Sequence, residues 1–212
     1  SAHQLDSRAR RVEKHYRNIA DQMITRRLEI LAKEENSPFS EGVSYSYEWL
    51  NWVYSSGIEL ICQPNQWQAT LETAEIELRR ALTFGFTQSE LDEAKAKVIK
   101  SYEQIVKAAA TRKSRTLARE LVQRINKNEV FTSPEDELSL VKSILVDITL
   151  DLCHRALKKD WAVGKRKIFI SGNLKLDNPE STILGVFNES LKVPVEPPEE
   201  VEDKAFAYTD FG

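Results

Sequence analysis

Three histidines and two cysteines are the side chains of this 212-residue sequence best suited to hold a metal ion or form a nucleophile–base pair. His3, His15 and His154 are scattered, and none lies three or four residues from another. A catalytic zinc needs about three protein ligands converging on one point. Cys62 and Cys153 sit among apolar neighbours and read as buried free thiols. Cys153 and His154 are adjacent, so on a helix their side chains diverge by about 100° and cannot pair. There is no G-x-S-x-G elbow to present a serine, and no Gly-rich turn to cradle a phosphate. Acid pairs such as Glu34-Glu35 and Glu90/Glu93 fit solvated helix faces. On this reading no catalytic, metal-binding or cofactor-binding residue is assigned, and the chain is not expected to be an enzyme by itself.

Composition narrows the class further. Hydrophobic residues make up 41% and charged residues 30%, enough apolar mass for a sizeable core in one large domain. Thirty basic residues face thirty-three acidic ones, a net charge of −3 that leaves little to neutralise a phosphate backbone. The basic run at Lys158-Lys159 and Lys165-Arg166-Lys167 is short and reads as a solvated loop. No nucleic-acid partner and no membrane span are therefore expected, because no apolar run approaches ~18 residues. The polar start at Ser1-Ala2-His3-Gln4 carries no signal-peptide pattern.

The elements follow from periodicity. Tyr16, Ile19, Ala20, Met23, Leu28 and Leu31 form one apolar stripe of a helix from about Ser7 to Lys33. Val43, Tyr45, Tyr47 and Trp49 then alternate with Ser44, Ser46 and Glu48, which predicts a strand with a buried aromatic face. A turn is expected around Ser55-Ser56-Gly57 and a second, antiparallel strand over Ile58 to Cys62. Asn65 is the expected cap of a helix through Trp67, Leu71, Leu78 and Leu82, closed by Gly85. Thr87 and Glu90 form a capping box flanked by the hydrophobic staple Phe86 and Leu91, joining this helix to the next as a packed hairpin.

The long helix carrying Leu91, Ala94, Val98 and Tyr102 meets a polar stretch at Thr111 to Ser114 that can break it, and its stripe resumes at Leu117, Leu121 and Ile125. Ser133-Pro134 and Thr149 start two more helices. Lys167 to Ser171 reads as a short strand, and Asn178-Pro179 opens a last helix. The sum is about six helices and three strands: an α+β fold, mostly helical, with a small antiparallel sheet packed by several helices. Residues 1–193 read as this α+β domain. Residues 194–212, with three prolines among glutamates, read as an acidic linker toward a following domain. Phe206, Tyr208 and Phe211 are candidate inter-domain docking side chains.

The order of these features resembles the second, non-catalytic domain found in each half of pitrilysin/insulinase-type zinc metallopeptidases. The resemblance runs from Arg26 to Asn173, about 70% of the chain. It rests on Arg27-Leu28 at a helix end, the hairpin, Glu77-Leu78, and the segment Gly85-Phe86-Thr87-Gln88-Ser89-Glu90-Leu91-Asp92-Glu93-Ala94-Lys95. Asp147-Ile148-Thr149 and Ser171-Gly172-Asn173 extend it.

The resemblance implies a parent of two related halves closing around a peptide. Its zinc would sit in another domain, on an inverted H-x-x-E-H helix plus a distal Glu. This chain has no H-x-x-E-H, so its implied role is structural: to shape the substrate chamber and contact the parent's other domains. Where some members place a substrate-gripping Arg and Tyr, it has Lys33 and Phe39, which suits the end of a first half better. The strand and helix that usually open such a domain are not evident, which points to a fragment. Bacterial members of the family are often periplasmic, and a periplasmic or secreted location is expected by that analogy. The alternatives are a scaffold subunit of peptidase-like fold without catalysis, and an unrelated helical protein-binding module.

Overall fold

The computed structural model describes residues 6–49, 53–162 and 166–199. Helix α1 (Arg8–Leu31) is the spine. Ser7 caps it by accepting from Arg10 N at 3.2 Å, and its stripe of Ile19, Ala20, Met23, Ile24 and Leu28 is fully buried. The hairpin β1 (Glu41–Trp49) and β2 (Val53–Ile61) lies on one side of α1. Helices α2 (Trp67–Phe84), α3 (Gln88–Ala108), α5 (Pro134–Val146) and α6 (Leu150–Trp161) pack around the rest of it. Helix α7 (Pro179–Ser190) packs on α2, where Arg79 donates to Ser190 O at 2.9 Å and Val193 O at 2.7 Å. Helix α4 (Ser114–Asn126) has no buried residue. The fold is mostly helical α+β with one two-stranded antiparallel sheet among the described residues.

Several local expectations are met by side-chain chemistry. The capping box at Thr87 and Glu90 forms in both directions, and Phe86 and Leu91 are both buried beside it. Ser133 and Thr149 cap α5 and α6, with Pro134 at the first helical position of α5. The polar stretch does break the long helix: a 3-10 turn at Ala109–Thr111 ends α3, and α4 begins at Ser114.

Others are corrected. The aromatic face of β1 is not the buried one: Tyr47 is 52% exposed and Val43 is exposed, whereas Ser44 is buried. The sheet turns its serines inward because a polar anchor waits on α1. Ser44 Oγ donates to Asp21 Oδ1 at 2.7 Å, Ser46 Oγ donates to Asp21 Oδ2 at 2.5 Å, and Ser44 N donates to Thr25 Oγ1 at 2.9 Å. Period-two alternation identifies two faces but cannot say which is inside when polar groups satisfy each other across the interface. Ser55-Ser56-Gly57 lies within β2, not in a turn, and Gly57 pairs with Tyr45. A Cβ at Gly57 would stand 2.6 Å from Tyr45 Oη, so the glycine serves to let that ring lie across the neighbouring strand.

Asn65 lies inside a 3-10 turn, Pro64–Gln66, and does not cap α2; the N-cap is Gln66, without a side-chain hydrogen bond. Helices α2 and α3 do not run along each other as a hairpin. They diverge from Gly85, and each packs on α1 instead. Residues 167–171 form no strand and join no sheet among the described residues, and Phe169 is 87% exposed. Their β-branched pattern sets a local preference that needs a neighbouring strand to become a ladder. The expected buried stripe on α4 is also reversed, as taken up below. Phe206, Tyr208 and Phe211 lie outside the described residues.

Asp21 carries a pH consequence. It is buried, and burial pushes its carboxyl above the usual 3.8, only partly opposed by the hydrogen bonds from Ser46 and Ser44; the nearby Asp160 carboxyl on α6 raises it further. Asp160 itself meets Arg17 at 3.2 Å and Tyr54 Oη at 3.3 Å. A carboxyl raised in the folded state favours folding when protonated, and that contribution is lost as pH rises through its folded value. Asp21→Asn is therefore expected to be at least as stable as the native chain at neutral pH. Its advantage should shrink as pH falls toward the range in which Asp21 protonates, which thermal unfolding monitored from pH 7 to pH 4 would reveal.

Candidate functional site

Several residues that carried the family resemblance come together at one junction between α1, α2 and α3, whereas Ser171-Gly172-Asn173 lie elsewhere. Arg27, late in α1, is buried and reaches across to Glu90 in the first turn of α3 through two nitrogens, with Nη2 to Glu90 Oε2 at 2.8 Å. The same Nη2 donates to Gly85 O at 2.9 Å, and the guanidinium carbon lies 5.1 Å from the centre of the Phe86 ring. Glu90 Oε2 also accepts from Thr87 N at 2.8 Å, so one carboxylate caps α3 and neutralises Arg27 together. Gly85 ends α2 at φ 76° and ψ −137°, a region that side chains avoid, with the His154 ring 3.2 Å from where a Cβ would be. Leu28, Leu91 and Ala94 seal the junction with apolar surface.

Lys95, the last residue of the segment, does a related job one turn further on. Its Nζ donates to Ile148 O at 2.6 Å, and Thr149 next to it caps α6 through Leu152 N. Lys95 thereby fastens α3 to the turn between α5 and α6. Glu77 on α2 is buried near the Arg27–Glu90 pair; burial pushes its carboxyl up, opposed by Arg80, which it meets at 2.7 Å. Arg27, Gly85, Glu90 and Lys95 thus make contacts between elements, while Thr87 caps α3 and Leu28, Phe86, Leu91 and Ala94 are buried.

The candidate chemical groups are placed apart from one another. His154 Nε2 lies 2.9 Å from Leu82 O and its ring backs Gly85. His15 is half-buried on α1, and burial with the adjacent Lys14 lowers its pKa. His3 lies outside the described residues. Cys62 and Cys153 are unpaired. Burial pushes the Cys153 thiol up to about 12, so it stays protonated and packs as a small apolar group. No group of three or more His, Cys, Asp or Glu among the described residues could hold a metal ion.

One feature the sequence did not reveal is a polar cleft of about 700 Å³ between the N-terminal half of α1, the hairpin, α3, α4 and α5. Its walls carry Arg11, Arg17, Tyr54, Tyr102, Arg124 and Glu137. These charges mostly answer one another. Arg11 binds Asp6 and meets Glu137 at 3.1 Å, while Arg17 meets Glu13 at 2.9 Å and lies 4.6 Å from the centre of the Tyr54 ring. The Arg11 guanidinium holds the Asp6 carboxyl below 3.8. The partners come from distant segments, so no short motif could have announced the cleft.

No family model and no curated protein sequence is detectably similar to this chain. Solved structures are. The first half of the periplasmic protease PqqL from Escherichia coli superposes with a TM-score of 0.72 at 18% identity, over 93% of this chain and 43% of that one. Full-length PqqL gives 0.73 at 17% identity, over 98% of this chain and 23% of that one. A protein described as a predicted insulinase family protease from Yersinia pestis gives 0.66 at 15% identity, over 89% and 41% of the two chains. The chain thus has the fold of part of an insulinase-type protease and spans less than half of each of these chains.

The junction predicts a specific pattern of stability. Arg27→Met leaves Glu90 without its cation in a nearly closed site and should cost about 3 kcal/mol. The double variant Arg27→Met/Glu90→Leu should cost clearly less than the sum of the two single changes, because neither charge is then left alone. Urea unfolding of the four chains checks both statements.

Proposed function

We propose that this chain is a non-catalytic, chamber-forming domain of a larger zinc metallopeptidase of the pitrilysin/insulinase type. The observation that carries the reading is that its motif residues serve the angles between helices, in a fold shared with the first half of a protease. Such residues belong to a wall. In the parent, zinc and water activation fall to another domain, on an H-x-x-E-H helix and a distal Glu. This domain supports that one and lines the space in which the peptide substrate is held. Residues 1–193 form the wall, and residues 194–212 form the linker toward the next domain, with Phe206, Tyr208 and Phe211 as its docking side chains. A periplasmic location follows by analogy with PqqL.

Two measurements test this. The purified chain, dialysed against zinc, should retain far less than one equivalent by metal analysis and leave a quenched fluorogenic peptide intact. The parent polypeptide should cleave that peptide in a chelator-sensitive way. Stoichiometric zinc in this chain, or chelator-sensitive cleavage by it alone, would overturn the proposal. A parent without H-x-x-E-H that also fails to cleave would replace it with a scaffold role.

A further inference from the structure

Helix α4 is folded with its apolar side outward. Glu120, Gln123, Arg124 and Lys127 line the cleft facing α1. Leu117, Leu121, Val122 and Ile125 are exposed, Val122 at 55% and Ile125 at 62%. Val130 and Phe131 continue the exposed apolar surface. Val130 is tethered by its own backbone, through Val130 N to Asp6 at 3.0 Å and Arg11 to Val130 O at 3.2 Å. A thirteen-residue helix with no buried residue is marginal in water by itself, because most helical stability in proteins comes from covering one face. A contiguous exposed patch of this kind marks a contact surface.

The charges around the patch select its occupant. Arg115 and Arg119 are exposed beside the stripe, and neither has an ion-pair partner among the described residues. An acidic and aromatic segment fits. The chain carries one: Glu196, Glu199, Glu200, Glu202 and Asp203, followed by Phe206, Tyr208 and Phe211. It also reaches. Val193 is fixed to Arg79 at 2.7 Å, and the thirteen residues from there to Phe206 can span up to about 45 Å. A domain of this size has a radius of gyration of about 16 Å.

We infer that the C-terminal segment docks on the outward face of α4, with Phe206, Tyr208 and Phe211 over Leu117, Leu121 and Ile125 and the preceding acids against Arg115 and Arg119. This keeps residues 194–212 as a docking segment but seats Phe206, Tyr208 and Phe211 on α4 and not on the next domain, and it does not depend on peptide hydrolysis by the parent, so it stands or falls separately from the zinc and peptide assays.

Hydrogen exchange of α4 amides in the full 212-residue chain tests it, because covering the patch slows local opening. The variant Phe206→Ser/Tyr208→Ser/Phe211→Ser and the variant Leu121→Asp should each exchange about tenfold faster across α4, with α1 and α6 unchanged. Both alter residues outside the core, so loss of the fold does not confuse the readout. Arg115→Glu/Arg119→Glu should give an intermediate rate. Equal exchange in the native and triple-variant chains would overturn the inference. So would protection that appears only at concentrations where sedimentation shows a dimer, since the segment would then be seated on another copy.

Discussion

A buried guanidinium is costly unless every direction it faces offers an acceptor or a polarisable surface. Arg27 meets most of this demand by drawing four groups to one point: the Glu90 carboxylate, the Gly85 carbonyl, the Phe86 ring and, through Glu90, the Thr87 amide; its Nη1 alone has no hydrogen-bond partner among the described residues. These belong to the end of α2, the link, and the start of α3. Satisfying one charge on α1 therefore fixes where α2 stops, where α3 begins and the angle between them. It also explains the divergence of α2 and α3, because a carboxylate turned toward α1 pulls the first turn of α3 away from α2. Gly85 makes the corner possible, since its backbone conformation is closed to side chains and the His154 ring leaves no room for one.

With α1 fixed as the spine, the rest follows as attachments of different character. Lys95 ties α3 to the carbonyl between α5 and α6, and Arg79 ties α7 to α2. The hairpin is attached by polar groups, Asp21 and Thr25 against Ser44 and Ser46, where an apolar seam would be usual. A carboxylate holding two hydroxyls is satisfied in one position only, so the polar seam pins the hairpin on α1. The consequence is that the apolar side of β1, with Val43 and Tyr47, is left facing outward.

The sequence made the helix starts legible because capping is local: Thr87 with Glu90, Ser133 with Pro134, and Thr149 each satisfy amides within three residues. It made the faces of β1 and α4 illegible for the opposite reason. Periodicity shows that a segment has two sides, and the inner side is set by what lies opposite, which for β1 is Asp21, distant in the chain. Lys167 to Ser171 failed as a strand on the same ground, since a strand is a property of a pair. The contacts of the motif residues at the junction were not legible in the sequence. Nothing in the spacing of Arg27 and Glu90, sixty-three residues apart, shows that one carboxylate serves both the cap and the ion pair.

The outward apolar surfaces and the chain's place among its structural neighbours bear on each other. A lone soluble domain gains stability by turning the apolar side of each amphipathic element inward. Here α4 and β1 do the reverse while their polar sides are occupied by ion pairs and hydroxyl–carboxylate contacts. Turning α4 over would bury Leu121 and Ile125 but expose the polar wall of the cleft to an apolar neighbour, leaving Arg124 to find a new partner for Glu129, which it meets at 3.4 Å. The polar interior thus holds the apolar faces in place for something outside the α1-centred core. In PqqL the matching region is under a quarter of the chain. Around an apolar core centred on α1, the outer elements are thus held by polar contacts while their apolar faces stay exposed, and a surface of that kind gains stability from whatever covers it.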